Sequence, residues 1–133
     1  MELAPANVKR LLEVARRAQV NAHAPYSRFP VGAAVLAEDG QVFAGCNVEN
    51  SSFGLTVCAE RNAVAAAVVA GARPIAVAVF VTGEAVPPCG ACRQVLAEFA
   101  SDMPVILGGT RGGNPTVTSL AALLPEAFSF QRP

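Results

Sequence analysis

Three cysteines constrain this chain more than any other feature. Residues 87–99 read Pro-Pro-Cys-Gly-Ala-Cys-Arg-Gln-Val-Leu-Ala-Glu-Phe, and residues 57–61 read Val-Cys-Ala-Glu-Arg. A C-x-x-C pair that follows prolines and opens a helix can turn both sulfurs toward one ion. Cys58 adds a third sulfur two residues before a carboxylate, Glu60. A structural zinc site is closed by four protein ligands, whereas a catalytic one keeps a position open for water. Cys58, Cys89 and Cys92 with Glu60 therefore predict one catalytic Zn²⁺ per chain. Any fold for this chain has to bring two helix starts to one point.

The rest of the composition narrows the setting. With 133 residues, 53% of them hydrophobic, the chain is long enough to bury a core, and residues 1–133 read as a single domain. No run approaches the ~20 apolar residues of a membrane span. The first residues lack the basic and apolar regions of a signal peptide, so a cytoplasmic protein with no membrane partner is expected. In a reducing compartment the four cysteines are metal ligands or inert thiols rather than disulfides. Ten basic residues balance ten acidic ones without clustering. That argues against a nucleic-acid partner, which demands a basic face, and against a heavily phosphorylated substrate.

Periodicity supplies the scaffold. Val8, Leu11, Leu12, Ala15 and Ala18 recur at helical spacing opposite Lys9, Arg10, Arg16 and Arg17, predicting an amphipathic helix over residues 6–21. His23, the one histidine, has no acidic or cysteine neighbour in sequence and receives no role. Pro25 and Pro30 impose an extended entry to a hairpin of residues 31–37 and 42–48 around Asp39-Gly40. Cys46 falls in its second strand and reads as a small buried hydrophobe. Asn47 and Glu49 alternate onto one face at that strand's end, either as a solvated terminus or as polar ligands. A loop over 51–56 leads to a helix at 57–70, so rich in Ala and Val that it reads as apolar all round and buried. Residues 75–82 form a central strand, and Cys92, Val95, Leu96 and Phe99 mark the inward face of a helix starting near Cys89. A strand at 104–107, a turn at 111–115 and a short helix at 119–124, with Ser119 near its cap, complete the chain. The order α-β-β-α-β-α-β-α predicts an α/β fold, a three-layer α-β-α sandwich with a mixed central sheet.

Helix starts suit thiolates, because free backbone N–H groups and the positive dipole end face them. Three thiolates overcompensate a divalent ion, so cationic neighbours are needed to keep its water acidic. Arg61 and Arg93, each just beyond a ligand, are candidates for donating to the sulfurs; the other reading is an exposed arginine on a first helical turn. Glu60 is placed to take a proton from the water as general base, although a glutamate in a first turn also complements the dipole.

Cys58-Ala59-Glu60 with Pro88-Cys89-Gly90-Ala91-Cys92 resembles the zinc-dependent cytidine deaminases, in their small form with three cysteine ligands. The resemblance runs through Tyr26-Ser27-x-Phe29-x-Val31-Gly32-Ala33-Ala34, Asn47-Val48-Glu49-Asn50, Arg93-Gln94 and Leu123-Leu124-Pro125 with Phe128. It implies hydrolytic deamination of cytidine and deoxycytidine, with release of ammonia, in pyrimidine salvage. It also implies that Phe29 stacks on the pyrimidine, that Asn47 and Glu49 hold the ribose, and that Ala59 offers backbone contacts. The resemblance further implies a homotetramer with composite active sites. In many members the position of Phe53 is a tyrosine serving a neighbouring subunit; here the ring is kept without its hydroxyl. Phe128 matches a C-terminal aromatic that reaches across an interface, although a core phenylalanine would look the same. Three alternatives share parts of this pattern: an antibiotic-modifying deaminase of the blasticidin type, which should lack the Asn47/Glu49 pair; a nucleic-acid editing deaminase; and a non-catalytic module in which Cys46 closes a four-cysteine site.

Overall fold

The computed structural model describes residues 2–130. Helix α1 (Pro5–Gln19) begins with proline, whose fixed φ suits the first helical turn, and buries Leu11 and Ala15. Strands β1 (Val31–Ala37) and β2 (Val42–Cys46) form the expected hairpin, with Gly40 in the left-handed region at its turn (φ 88°). Helix α2 (Ala59–Val69) leads into β3 (Pro74–Glu84), α3 (Gly90–Ala97) into β4 (Pro104–Arg111), and β5 (Thr116–Ser119) into the short α4 (Leu120–Leu123).

The strands lie in the order β2-β1-β3-β4-β5. Only β3 and β4 are parallel, and α3 lies in the connection between them; the other pairs are antiparallel, so the sheet is mixed. Alternation along the strands builds two cores. Ala34, Leu36, Ala76, Ala78 and Ile106 meet α1 through Leu11 and Ala15. Ala33, Val35, Val77, Val79, Val81, Val105 and Leu107 face the other way, onto Ala63, Val64 and Ala67 of α2 and Leu96 of α3. Helices on both faces of one sheet make the three-layer sandwich. No helix of the described residues is long and apolar enough to cross a membrane.

Three expectations need correction. Strand β5 falls on residues 116–118, between the expected turn and helix, and takes in Ser119, which also caps α4 as expected: its four residues are exposed or half-buried at the sheet edge and hold a single apolar side chain. Asn47 and Glu49 lie beyond β2, in a segment joined to the fold by single bridges of Val48 to His23 and to Val57. Helix α2 is buried on one side only. Ala59, Glu60, Ala63, Val64 and Ala67 face the sheet, while Val68 and Val69 are 47% and 89% exposed, because one sheet can cover only one face of a helix.

Gly45 decides how closely α2 sits. A Cβ there would lie 2.4 Å from both the Ala59 carbonyl oxygen and the Ala63 nitrogen, so only glycine lets the helix start touch β2.

Candidate active site

Cys58 and Cys89 are the N-cap residues of α2 and α3, both with extended backbone, and Cys92 is in the first turn of α3. The two helix starts converge. The three sulfurs lie within 4.8 Å of one another, with Cys58 Sγ 3.8 Å from Cys89 Sγ and Cys89 Sγ 3.4 Å from Cys92 Sγ. A tetrahedral zinc bonded to sulfurs at about 2.3 Å sets them roughly 3.8 Å apart, so the group fits one Zn²⁺ with a fourth position left for a non-protein ligand. Among the described residues Cys46 is not a member of this group; it is half-buried, and its carbonyl accepts a hydrogen bond from Asn62 (2.8 Å). A closed four-cysteine site is therefore not what the fold builds.

The electrostatics bear out the need for a cation. The Cys58 thiol is lowered to about 5, first by its hydrogen bond with Cys92 and then, against the cost of burial, by Arg61 and Cys89. Cys92 is pushed up, first by that same sharing with Cys58 and then by burial and the Glu60 charge. One thiolate is easy here and a second is hard; a divalent ion among the sulfurs removes that penalty. Arg61 donates from one terminal nitrogen to Cys58 Sγ (3.6 Å) and to the Thr56 carbonyl (3.3 Å), while its buried Nε has no partner among the described residues. Arg93 departs from expectation. It donates from Nε to the Pro88 carbonyl and from a terminal nitrogen to the Leu123 carbonyl, both at 2.7 Å, so it ties the loop before α3 to the end of α4 instead of reaching a sulfur.

Glu60 is 5% exposed on the buried side of the first turn of α2. Burial raises its carboxyl, its own backbone N–H opposes that, and the neighbouring Cys58 charge adds to the rise. Ala59, fully buried, opens the helix beside it.

The segment over residues 23–29 is tied to the stretch that carries Asn47 and Glu49. Its backbone hydrogen-bonds on both sides of Val48: His23 N–H donates to the Asn47 carbonyl (2.9 Å), and Glu49 N–H donates to the His23 carbonyl (2.8 Å). Asn47, 8% exposed, is a brace: Oδ1 accepts from Val31 N–H and Nδ2 donates to the Phe29 carbonyl, each at 2.9 Å. Glu49 Oε1 accepts from the backbone N–H groups of Tyr26 (2.9 Å) and Ser27 (3.1 Å), and Oε2 accepts from the Ser27 hydroxyl. The hydroxyl first, and those N–H groups after it, hold the Glu49 carboxyl below the ordinary range. Phe29 is partly exposed, following Arg28 in the left-handed region (φ 56°). Tyr26, Ser27, Glu49, Phe53 and Thr56 line a cavity of about 270 Å³, with the Tyr26 and Phe53 rings edge to face at 5.5 Å. Phe128 lies apart from it, 73% exposed, its carbonyl held by Gln94. Sequence reasoning assigned no role to His23 or Ser27. The Tyr26-Ser27 dipeptide was the available signal for Ser27, whereas His23 acts through its backbone and leaves none.

Residues 5–108 match the family model described as the cytidine and deoxycytidylate deaminase zinc-binding region. A cytidine deaminase of Sporosarcina psychrophila is 50% identical over 126 residues, covering 92% of each chain. One from Mycobacterium tuberculosis H37Rv is 47% identical, over 87% of this chain and 85% of its own. The crystal structure of a cytidine deaminase from Burkholderia pseudomallei superposes with a TM-score of 0.84 at 48% identity, over 90% of this chain and 98% of that one.

Proposed function

This chain belongs to the cytidine and deoxycytidylate deaminase family as a zinc-dependent hydrolase that deaminates cytidine, and from that premise we propose how its residues divide the work. The observation that carries the reading is the convergence of three sulfurs from two helix starts beside one buried carboxylate. Cys58, Cys89 and Cys92 hold the ion, which supplies a water made acidic enough to be a nucleophile near neutral pH. Glu60 moves the protons. Hydrolysis adds water across the C4–N4 bond of the cytosine ring: the water oxygen becomes the C4 carbonyl oxygen, one of its protons ends on ring N3, and the other leaves with the amino group as ammonia. A single carboxylate within reach of the water, N3 and the leaving nitrogen can carry both protons in turn and finish ionised, as it began. Its burial helps at the first transfer, because a carboxylate raised by desolvation is the stronger base toward the water's proton. Arg61 offsets the negative charge of the sulfurs.

Phe29 stacks on the pyrimidine and Ala59 lends its backbone to the base. Glu49 accepts a hydrogen bond from the sugar. Asn47 reaches the sugar only with what its two backbone bonds leave free. The substrates are free cytidine and deoxycytidine: a carboxylate suits a neutral hydroxyl and repels phosphate. The enzyme assembles as a homotetramer with composite sites, a reading supported by the open apolar face of α2 and the exposed rings of Phe53 and Phe128. The same reading takes residues 1–133 as one deaminase domain working in the cytoplasm, in pyrimidine salvage.

Ammonia release from cytidine, deoxycytidine, cytosine, CMP and blasticidin S tests the substrate assignment. The two nucleosides should exceed the other three in kcat/KM by at least about 100-fold, because a site built to bind a hydroxyl is left unpaired without it. Cytosine or CMP turned over as well as cytidine would remove the sugar-reading role, and a preference for blasticidin S would favour the antibiotic-modifying class.

A further inference from the structure

Glu49 does not stand free in the cavity. An ionised carboxylate offers about four lone-pair sites. Two on Oε1 are taken by the Tyr26 and Ser27 N–H groups, and one on Oε2 by the Ser27 hydroxyl. Roughly one site remains, on Oε2, and the Ser27 hydroxyl fixes its direction. The same hydroxyl oxygen accepts from the Phe29 N–H (3.0 Å), and the Phe29 carbonyl is held in turn by Asn47. Ser27 thus sits at the joint between the carboxylate that faces the sugar and the segment that carries the ring for the base. Three hydrogen bonds onto one carboxylate exceed what a solvated surface glutamate needs, since water would satisfy it equally.

We propose that Ser27 is a positioning residue for nucleoside recognition, fixing the free lone pair of Glu49 so that one sugar hydroxyl is accepted. The proposal rests on the reading of Glu49 as the sugar acceptor. It assigns Ser27 no contact with the reacting atoms: its effect falls on binding, passes through Glu49, and is absent for a ligand without a sugar.

The test is a mutant cycle on the zinc-loaded protein with Ser27→Ala, Ser27→Thr, Glu49→Gln and Ser27→Ala/Glu49→Gln, reading kcat and KM for cytidine and the competitive inhibition constant of free cytosine. Ser27→Ala should raise KM for cytidine on the order of tenfold, the range for losing a hydrogen bond to a charged group, with kcat and the cytosine constant within about twofold of the parent. Ser27→Thr, which keeps the hydroxyl, should recover most of the loss. In the Glu49→Gln background Ser27→Ala should add less than about twofold, because its route of action is already cut. Full additivity in the double variant, an equal loss on cytosine, or a fall in kcat alone would overturn the positioning role while leaving Glu49 as sugar reader. If Glu49→Gln leaves KM for cytidine unchanged, the reading of Glu49 fails and the proposal falls with it.

Discussion

Glu60 is a carboxylate that the fold has taken out of water, and burial raises it, so its place in the proposed proton traffic is open to a direct test. Glu60→Gln keeps the volume and the burial but accepts no proton. The variant should therefore bind zinc and melt like the parent, with kcat reduced on the order of 10²–10⁴-fold or more. Ammonia release together with metal analysis checks this; near-parental turnover in a zinc-loaded variant would remove Glu60 from the mechanism. The cysteines divide in the same way. Cys46 packs in a strand end outside the sulfur group, so Cys46→Ala should retain a full equivalent of zinc, whereas Cys89→Ala should lose most of it. Equal zinc loss in both would restore the closed four-cysteine reading. Arg93 shows why adjacency in sequence was a poor guide to role. It follows a ligand directly, yet its side chain spends its donors on carbonyls of two other segments.

Helix α2 carries Cys58 at its N-cap and Glu60 on its first turn, so its seat on the sheet sets the site. That seat depends on Gly45, where the helix backbone comes nearer than any side chain permits. Gly45→Ala should push the start of α2 outward. The expected cost is about 1–3 kcal/mol in denaturant unfolding, typical of forcing a methyl into a packed contact, together with weaker zinc retention. Unchanged stability and zinc affinity would show that α2 can shift without disturbing the sulfurs. Gly32 makes the same kind of contact on the opposite face, where a Cβ would fall 1.8 Å from the Ala15 carbonyl of α1. Both helices are thus laid on glycines of one hairpin, and the hairpin acts as the reference for both layers.

A chain of this size leaves apolar surface it cannot cover from within. The outward side of α2 ends in Val68 and Val69, and Phe53, Leu55 and Phe128 are each more than 65% exposed. Burial of a valine side chain contributes about 1.5–3 kcal/mol, which favours association strongly when several such groups share one interface. Val69→Lys should shift the assembly to smaller species in light scattering and lower the specific activity if neighbouring chains complete each site. A parental mass and activity for this variant would exclude the α2 face from the interface.

Much of this was written in local patterns that survive without the fold. The helical spacing of Leu11 and Ala15, the Asp39-Gly40 turn and the Val-rich central strand each declare themselves within a dozen residues, and the three cysteines with Glu60 do so as two short motifs, because backbone propensity and ligand chemistry are local. The missing strand β5 had no such signal, since an exposed edge strand gains its order from β4 alongside it. The half-open face of α2 was illegible because composition reports apolarity without direction. Asn47 and Glu49 were visible as a polar pair, but their division into a backbone brace and an anchored acceptor depends on the segment over residues 23–29, which sequence places some twenty residues away. Hydrogen bonds between distant segments leave no period in a sequence. Only the folded chain brings Ser27 to Glu49, and turns Arg61 toward a sulfur and Arg93 away.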